Sequence, residues 1–304
     1  MADGRPANRE PAEALSRYLR PEDARLLRAM TFSPRMMVDG ALSGKHRSRL
    51  RGASMEFHEY RSYAPGDSPA LVDWRVFARS DRLHLRTFRL ETHLECHLFL
   101  DASASMDFRS EEDGLTKLDW ASHFAAGLAY VVTLRQDRIS LTIFDEGPRA
   151  FLPPGGTRGH FRRMLSMLDT NEAGGRTDLA GALEKSLPLL RRRGTVIVVS
   201  DFLADPAAVF QALAAYTHRG YRVFLFQVLT PAELNLPGSQ TRRYVDPETG
   251  RRVTAHSDTV RTAYLEEIEA HQRALAALAS RRGIGLVQAR TDQSWLAQIR
   301  DLTR

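Results

Sequence analysis

Residues 95–105 read Glu-Cys-His-Leu-Phe-Leu-Asp-Ala-Ser-Ala-Ser, an apolar run at 96–100 that ends in three alternating oxygen-bearing side chains. Further apolar runs of strand length follow at 139–144, 195–199, 223–228 and 284–287. Amphipathic segments of helical length lie between the runs, at 117–134, 158–168, 179–190, 206–216 and 260–281. Continuous apolar strands that alternate with helices predict an α/β fold, with a doubly wound, mostly parallel sheet covered on both faces.

The chain before residue 92 has a different character. Residues 1–20 are rich in Pro, Arg and Glu, and we expect them to be disordered or loosely ordered. Pro21-Glu22-Asp23 predicts the start of a short helix. Beyond it, alternating or aromatic-rich runs at 56–63, 74–78 and 83–88 are separated by turn signals. We therefore predict a helix plus a small β-rich module over 21–91, before an α/β domain over 92–304.

One excursion interrupts the predicted α/β domain. Residues 242–254 contain two short strand-like runs around Asp246-Pro247-Glu248-Thr249-Gly250, a turn sequence. This pattern predicts a β-hairpin inserted after the fourth strand.

Composition excludes several classes of protein. The chain has 304 residues, of which 43% are hydrophobic and 26% charged, so neither a fibrous nor an intrinsically disordered protein is expected. The longest apolar stretch, 124–134, is too short to cross a bilayer, and no secretory signal is visible. With a single cysteine, Cys96, no internal disulfide can form, so we expect a cytoplasmic protein without a membrane span.

Basic residues exceed acidic ones, giving a net charge of +6, and 40 of the 43 basic residues are arginines. Arginine suits phosphate recognition, but acidic residues are interspersed throughout, which favours compositional bias. Lys45, Arg47, Arg49 and Arg51 near aromatic residues would suit single-stranded nucleic acid, but four charges make a weak case. We therefore predict no nucleic-acid partner.

Polar residues follow the strands where ligands bind in such a sheet. Asp101, Ser103 and Ser105 leave the first strand, and Asp201 follows the strand at 195–199. Thr177 lies in a Gly-Gly-Arg-Thr-Asp loop before the helix at 179–190. Each piece alone also fits a helix cap, but the three together form an all-oxygen set that favours Mg²⁺ or Mn²⁺.

The segments DASAS, GGRTDL and VVSDF resemble the metal-ion-dependent adhesion site of von Willebrand factor type A domains. The resemblance implies that Asp101, Ser103 and Ser105 lie on the metal and that Thr177 coordinates it directly or nearly so. It implies that Asp201 acts mainly through water. Neutral hydroxyl ligands would leave the cation able to attract an external carboxylate.

Residues 46–88 are similar to the signature of a bacterial family, domain of unknown function 58. The matching positions are Glu56, Phe57, Arg61, Tyr63, Gly66, Asp67, Asp73, Trp74, Ala78 and Arg79. One departure is Ala70, where the family often has arginine. Many relatives carry membrane helices ahead of this region, which we do not expect here. The resemblance implies a partnership with a MoxR-type AAA+ ATPase in assembly or maturation of client proteins.

We therefore predict a metal-dependent protein-binding adaptor with no catalytic residues. The alternative is a hydrolase or phosphotransferase that uses Asp101 and Asp201 to hold magnesium. Against it, position 103 is serine where a phosphoaspartate enzyme needs a second carboxylate. His93, Glu95 and His97 share one strand face, which we interpret as solvated rather than as a zinc site.

Overall fold

The computed structural model describes residues 16–30, 54–62, 72–91, 95–110 and 114–303. The chain divides into two compact units, and residues 44–93 form the smaller one. The larger unit therefore contains the described residues 16–30 and 95–303.

The strands of the described residues are β1 (Ser54–Ser62), β2 (His84–Glu91), β3 (Glu95–Asp101), β4 (Arg138–Phe144), β5 (Pro148–Gly155), β6 (Thr195–Ser200), β7 (Arg222–Leu229), β8 (Thr241–Val245), β9 (Arg252–His256) and β10 (Gly285–Arg290). The helices are α1 (Pro21–Leu27), α2 (Trp74–Ser80), α3 (Lys117–Leu134), α4 (Arg158–Asp169), α5 (Leu179–Ser186), α6 (Pro206–His218), α7 (Pro231–Asn235), α8 (Ser257–Arg282) and α9 (Trp295–Thr303). Short 3₁₀ turns occur at Ala104–Asp107 and Leu187–Leu189.

A six-stranded sheet with the order β10-β7-β6-β3-β4-β5 forms the centre of the larger unit. Its first five strands are parallel, and the edge strand β5 runs antiparallel to β4. The predicted α/β fold with a mostly parallel sheet is confirmed. β5 was not predicted, because its Pro153 and Pro154 are residues that a sheet tolerates only at an edge.

The buried residues form two clusters, one on each face of the sheet. On β3, Leu98 and Leu100 join the cluster of α3, α4 and α9, whereas Phe99 joins that of α5, α6 and α8. This alternation is what a strand between two helical layers requires. The carboxyl ends of β3, β6 and β7 are thereby held at one edge.

The helix α1 belongs to the larger unit rather than to the small module with which the sequence grouped it. It packs against α3, and just before it the buried residues Tyr18 and Leu19 are also part of this core. Nδ1 of His123 on α3 lies 2.8 Å from the carbonyl oxygen of Tyr18. Loose order therefore does not extend to residue 20, and residues 1–15 lie outside the described ones.

In the smaller unit, β1 and β2 pair antiparallel. They correspond to the runs at 56–63 and 83–88 of the predicted β-rich module. The run at 74–78, however, was assigned to the β-rich module and is the helix α2. Asp73 begins that helix, since its Oδ1 and carbonyl oxygen both accept from the Val76 amide. This cap outweighs the strand preference of the aromatic and β-branched residues. Arg61 lies on β1, whereas Tyr63, Gly66, Asp67 and Ala70 lie outside the described residues.

The predicted hairpin at 242–254 is present as β8 and β9, which form a two-stranded antiparallel sheet of their own. The hydroxyl groups of Tyr244 and Ser257 lie 2.9 Å apart and join the hairpin to the start of α8.

The solvated strand face predicted for Glu95 and His97 is wrong, since both side chains are buried. They lie on β3, a central strand whose two faces are covered by helices. His97 is 2.9 Å from the Ser140 hydroxyl, and Glu95 pairs with Arg138 at 3.0 Å. His93 lies outside the described residues. Cys96 is buried and free.

In the described part of the chain, no helix combines the length and the apolar character needed to cross a membrane.

Candidate metal centre

Backbone hydrogen bonds join the loop after β3 to the loop that carries Thr177. The amide of Ala104 donates to the Gly175 carbonyl at 3.0 Å, and the amide of Gly174 donates to the Ala102 carbonyl at 2.8 Å. The DASAS and GGRTD segments therefore lie side by side at the carboxyl edge of the sheet, although Gly174 is 69 positions beyond Ser105 in the sequence.

The second glycine of this loop has a specific structural role. Gly175 has φ +75°, a conformation that disfavours residues with a Cβ atom. A Cβ at this position would also lie 3.1 Å from Oδ2 of Asp145, the residue that follows β4. Gly174 has open space around the same position. The loop can therefore approach the end of β4 because residue 175 is glycine.

Asp101, the last residue of β3, is fully buried. Its Oδ1 accepts from the Ser103 amide at 2.9 Å, and its Oδ2 accepts from the Ser200 hydroxyl at 2.6 Å. Burial, and then the negative charge of Asp201, raise the pKa of Asp101 well above its usual range, and these hydrogen bonds oppose the shift. Among the described residues, no positively charged group hydrogen-bonds to this carboxyl group.

The two serines of the DASAS segment connect Asp101 to Asp201. Their hydroxyl oxygens lie 3.1 Å apart, and the nearby Ser105 hydroxyl helps to lower the pKa of Asp201. Asp101, Ser103, Ser105 and Asp201 therefore lie in one cluster, whereas the side chain of the fifth predicted residue, Thr177, contacts Glu248.

A buried lysine also contacts this cluster. Nζ of Lys117, the first residue of α3, donates to Oδ2 of Asp201 at 2.7 Å and to Oε1 of Glu233 at 2.6 Å. Burial alone would raise the pKa of Asp201, but the charge and hydrogen bond of Lys117 hold it below its ordinary value. In turn, the two carboxylates raise the pKa of Lys117 despite its burial.

Thr177 directs both of its donors toward the inserted hairpin. Its hydroxyl donates to Oε1 of Glu248 at 2.8 Å, and its amide donates to Oε2 of the same carboxylate at 3.1 Å. The next residue, Asp178, caps α5 by accepting from the Gly181 amide at 2.9 Å. Helix capping at this loop is thus the role of Asp178, and the hydroxyl of Thr177 holds a carboxylate.

The chemistry of the donors fits a hard divalent cation. Asp101, Asp201 and Glu233 supply three carboxyl groups against the one ammonium of Lys117, an excess of two negative charges when all are ionised. A cation beside Asp101 would relieve its repulsion with Asp201. Within the described ranges, no group of three or more His, Cys, Asp and Glu side chains is placed to hold a metal ion. A cation held here would therefore need oxygen ligands besides carboxylates, such as the hydroxyl groups of Ser103 and Ser105.

Sequence reasoning missed Lys117, Glu233 and Glu248, although two of them left a signal. Lys117 is one of three lysines in the chain and stands at a helix N-terminus, where the helix dipole disfavours a cation. Glu233 ends the Thr-Pro-Ala-Glu capping box of α7, a sequence signature for a helix start after β7. Glu248 has no comparable signal.

The family model "Protein of unknown function DUF58" matches residues 59–274. An uncharacterized protein of Mycobacterium tuberculosis is 31% identical over 283 residues, which cover 92% of this chain and 88% of that protein. Another from Mycobacterium avium is 32% identical over 139 residues, 45% of this chain and 80% of that one.

Two solved structures are similar at low identity. BatB from Bacteroides thetaiotaomicron is 17% identical with a TM-score of 0.45, covering 69% of this chain and 97% of that one. The VWA domain of SpRpn10 is 11% identical with a TM-score of 0.44, covering 68% of this chain and 94% of that one.

Proposed function

The chain belongs to the DUF58 family, and on this premise we propose that it is a protein-interaction adaptor that docks its partner through a divalent cation. The proposed ligands are Asp101, Ser103, Ser105, Thr177 and Asp201, and the proposed cation is Mg²⁺ or Mn²⁺. The observation that carries the proposal is the cluster of buried hydroxyl and carboxyl oxygens with excess negative charge at the carboxyl edge of the sheet.

The proposed ligands differ in the charge that they can offer to the cation. In the described part of the chain, no ammonium or guanidinium group hydrogen-bonds to Asp101, so its negative charge is available to a cation. Asp201 is already paired with Lys117, which suits a weaker contact through water. The bound cation would supply a coordination position for a carboxylate from outside. Because Ser103 and Ser105 are neutral, they would leave much of its positive charge uncompensated.

The partner we propose is a MoxR-type AAA+ ATPase or its client protein, in assembly or maturation of other proteins. Support for this partner comes from the family resemblance in the segment 46–88. The chemistry of the site adds that the contact would be made by an aspartate or glutamate of the partner. Such a carboxylate would be held and not chemically changed.

A binding assay with a MoxR-type ATPase from the same genome tests the proposal. We expect the complex to form in Mg²⁺ and to weaken at least tenfold in Asp101→Ala and in Asp201→Ala. The variants decide the outcome because chelation would also remove magnesium from the nucleotide of the ATPase. Asp258→Ala, on the exposed surface of α8, is the matched control and should bind like the wild type.

Equal binding by Asp101→Ala and wild type would place the interface elsewhere and overturn the docking proposal. Circular dichroism of each variant should first show that it is folded. Nucleic-acid binding would give a different pattern, since it would survive the substitution and weaken steeply with salt.

A further inference from the structure

The contact between Thr177 and Glu248 has the chemistry expected of a docked partner. A glutamate carboxylate is held by two donors of the same residue, the hydroxyl at 2.8 Å and the amide at 3.1 Å. Thr177 is one of the proposed metal ligands, and its hydroxyl can still offer a lone pair to a cation while it donates to Glu248. The carboxylate here comes from the chain itself, 71 residues along the sequence.

The turn that carries Glu248 is shaped by other residues. Oδ1 of Asp246 accepts from the amides of Glu248 and Thr249 at 2.9 and 3.2 Å, and Oδ2 accepts from the Thr249 hydroxyl. Gly250 takes φ +70° and closes the turn onto the Asp246 carbonyl. Asp246 is therefore used within the turn, whereas both oxygens of Glu248 face Thr177.

The hairpin is a separable element of the fold. Its strands β8 and β9 form their own two-stranded sheet, and such a sheet is marginally stable by itself. The Tyr244 hydroxyl, close to that of Ser257, connects the hairpin to the start of α8, while Glu248 connects the turn to Thr177. The turn can therefore leave Thr177 without disturbing the six-stranded sheet.

We propose that Glu248 is an internal ligand: while it is bound to Thr177, its carboxylate occupies the place at the cation site that a carboxylate of the partner protein takes. This inference rests on the proposed docking function and adds a regulatory step to it. The partner must displace the turn. The apparent association constant is therefore the intrinsic constant multiplied by the fraction of molecules in which Thr177 is free.

The surroundings of Glu248 favour an acidic segment of the partner. Arg243, Arg251 and Arg252 of the hairpin are exposed, and Arg251 and Arg252 follow the turn directly. The hairpin that a partner displaces therefore carries exposed positive charge next to Glu248 in the sequence. A partner segment that carries one carboxylate for the cation site and further acidic residues would gain charge complementarity.

A peptide with the chain's own turn sequence tests the inference without knowledge of the partner. The probe is a capped peptide of residues 245–251, Val-Asp-Pro-Glu-Thr-Gly-Arg, with a second peptide that carries glutamine in place of its glutamate. The protein variants are Glu248→Ala and, as the matched control, Glu267→Ala on the exposed face of α8. Binding is followed by the NMR shift of the Thr177 amide proton, which the carboxylate contacts directly.

We expect the Thr177 amide resonance to move when Glu248 is replaced, even in EDTA. In Mg²⁺, the Glu248→Ala variant should bind the peptide about tenfold or more tightly than wild type and Glu267→Ala. The glutamine peptide should bind neither. Equal affinity for wild type and Glu248→Ala, or binding by neither protein, would overturn the internal ligand.

The failure of the docking function gives a separate result. If Glu248→Ala gains affinity equally in Mg²⁺ and in EDTA, Glu248 is an internal ligand, but docking does not depend on a cation. If Asp101→Ala abolishes ATPase binding while Glu248→Ala leaves peptide binding unchanged, docking stands and the internal ligand does not.

Discussion

Lys117 Nζ donates to Oδ2 of Asp201 at 2.7 Å. Asp201 is one of the five residues proposed as metal ligands, so a protein cation already contacts the proposed site. The ammonium is fully buried and also contacts Glu233 at 2.6 Å. A buried charge of this kind is stable only while its partners are present. The lysine therefore neutralises Asp201 permanently, and Asp101 is left as the carboxylate with a charge to share.

Replacement of Lys117 should show how much the buried carboxylates depend on its positive charge. Lys117→Met keeps a similar volume but leaves Asp201 and Glu233 buried without their cation. We expect a loss of about 3 kcal/mol in the free energy of unfolding, measured by urea denaturation in EDTA. Added Mg²⁺ should recover part of the loss, because the excess negative charge of the site is then larger.

The matched control is Lys185→Met, which removes an exposed lysine of α5. We expect it to change the unfolding free energy by less than about 0.5 kcal/mol. If Lys117→Met were as stable as this control, the buried ion pair would not contribute as the distances indicate.

Metal binding itself should be visible as a thermal shift. Saturating Mg²⁺ or Mn²⁺ should raise the melting temperature of the wild type by several degrees, because the ligand binds only the folded state. Asp101→Asn keeps the size of the side chain and removes its charge. In EDTA we expect this variant to be at least as stable as wild type, since the repulsion between Asp101 and Asp201 is gone.

In Mg²⁺ the order should reverse, with the wild type more stable and the variant unchanged. A variant that is at least as stable as wild type in EDTA but less stable in Mg²⁺ is the result expected if Asp101 holds a cation. An equal increase in melting temperature for wild type and Asp101→Asn would contradict the assignment of this residue as a ligand.

The parallel strands could be predicted from the sequence because each is an apolar run buried on both faces. β3, β4, β6 and β7 were predicted to within one residue at each end. Elements whose identity depends on an edge or a cap were harder. β5 contains prolines that only an edge position permits, and α2 depends on the cap at Asp73.

The site could be predicted in part for a related reason. Asp101, Ser103, Ser105 and Asp201 follow strands directly, so the fold brings them together wherever parallel strands end. Lys117 contacts Asp201, 84 positions away in the sequence, and Glu233, 116 positions away. Such pairings depend on how helices approach the edge of the sheet, which periodicity does not specify.

The approach of the Thr177 loop should depend on one glycine. Gly175→Ala places a Cβ at positive φ and 3.1 Å from the Asp145 carboxylate, so we expect a loss of about 1 to 2 kcal/mol in stability. Because the loop carries Thr177, the stabilisation by Mg²⁺ should also decrease. Gly174→Ala is the matched control, since nothing lies within 4 Å of the added methyl group. Equal stability of the two alanine variants would contradict the role of the close approach.

Buried His97 should make the protein sensitive to acid. Its ring lies between the Ser140 hydroxyl at 2.9 Å and the Arg192 carbonyl at 3.3 Å, with Glu95 at 3.8 Å and the Tyr221 ring edge nearby. Burial lowers the pKa of His97 to about 4, the Arg192 carbonyl opposes the shift, and the charge of Arg138 adds to it. Between pH 6.5 and 4 the unfolded chain therefore binds a proton that the folded protein does not.

Stability should accordingly rise with pH across this window and be lost as the pH falls through it, with a contribution of about 3 kcal/mol from this residue at pH 4. Urea denaturation of wild type and His97→Gln at pH 7 and pH 4 measures the effect, because the variant cannot take up the proton. Between pH 7 and pH 4, we expect the difference in the free energy of unfolding between the two proteins to change by that amount in favour of His97→Gln. His218→Gln, at the exposed end of α6, is the control and should follow the wild type. A pH profile of His97→Gln identical to that of the wild type would mean that this histidine is not the group that titrates.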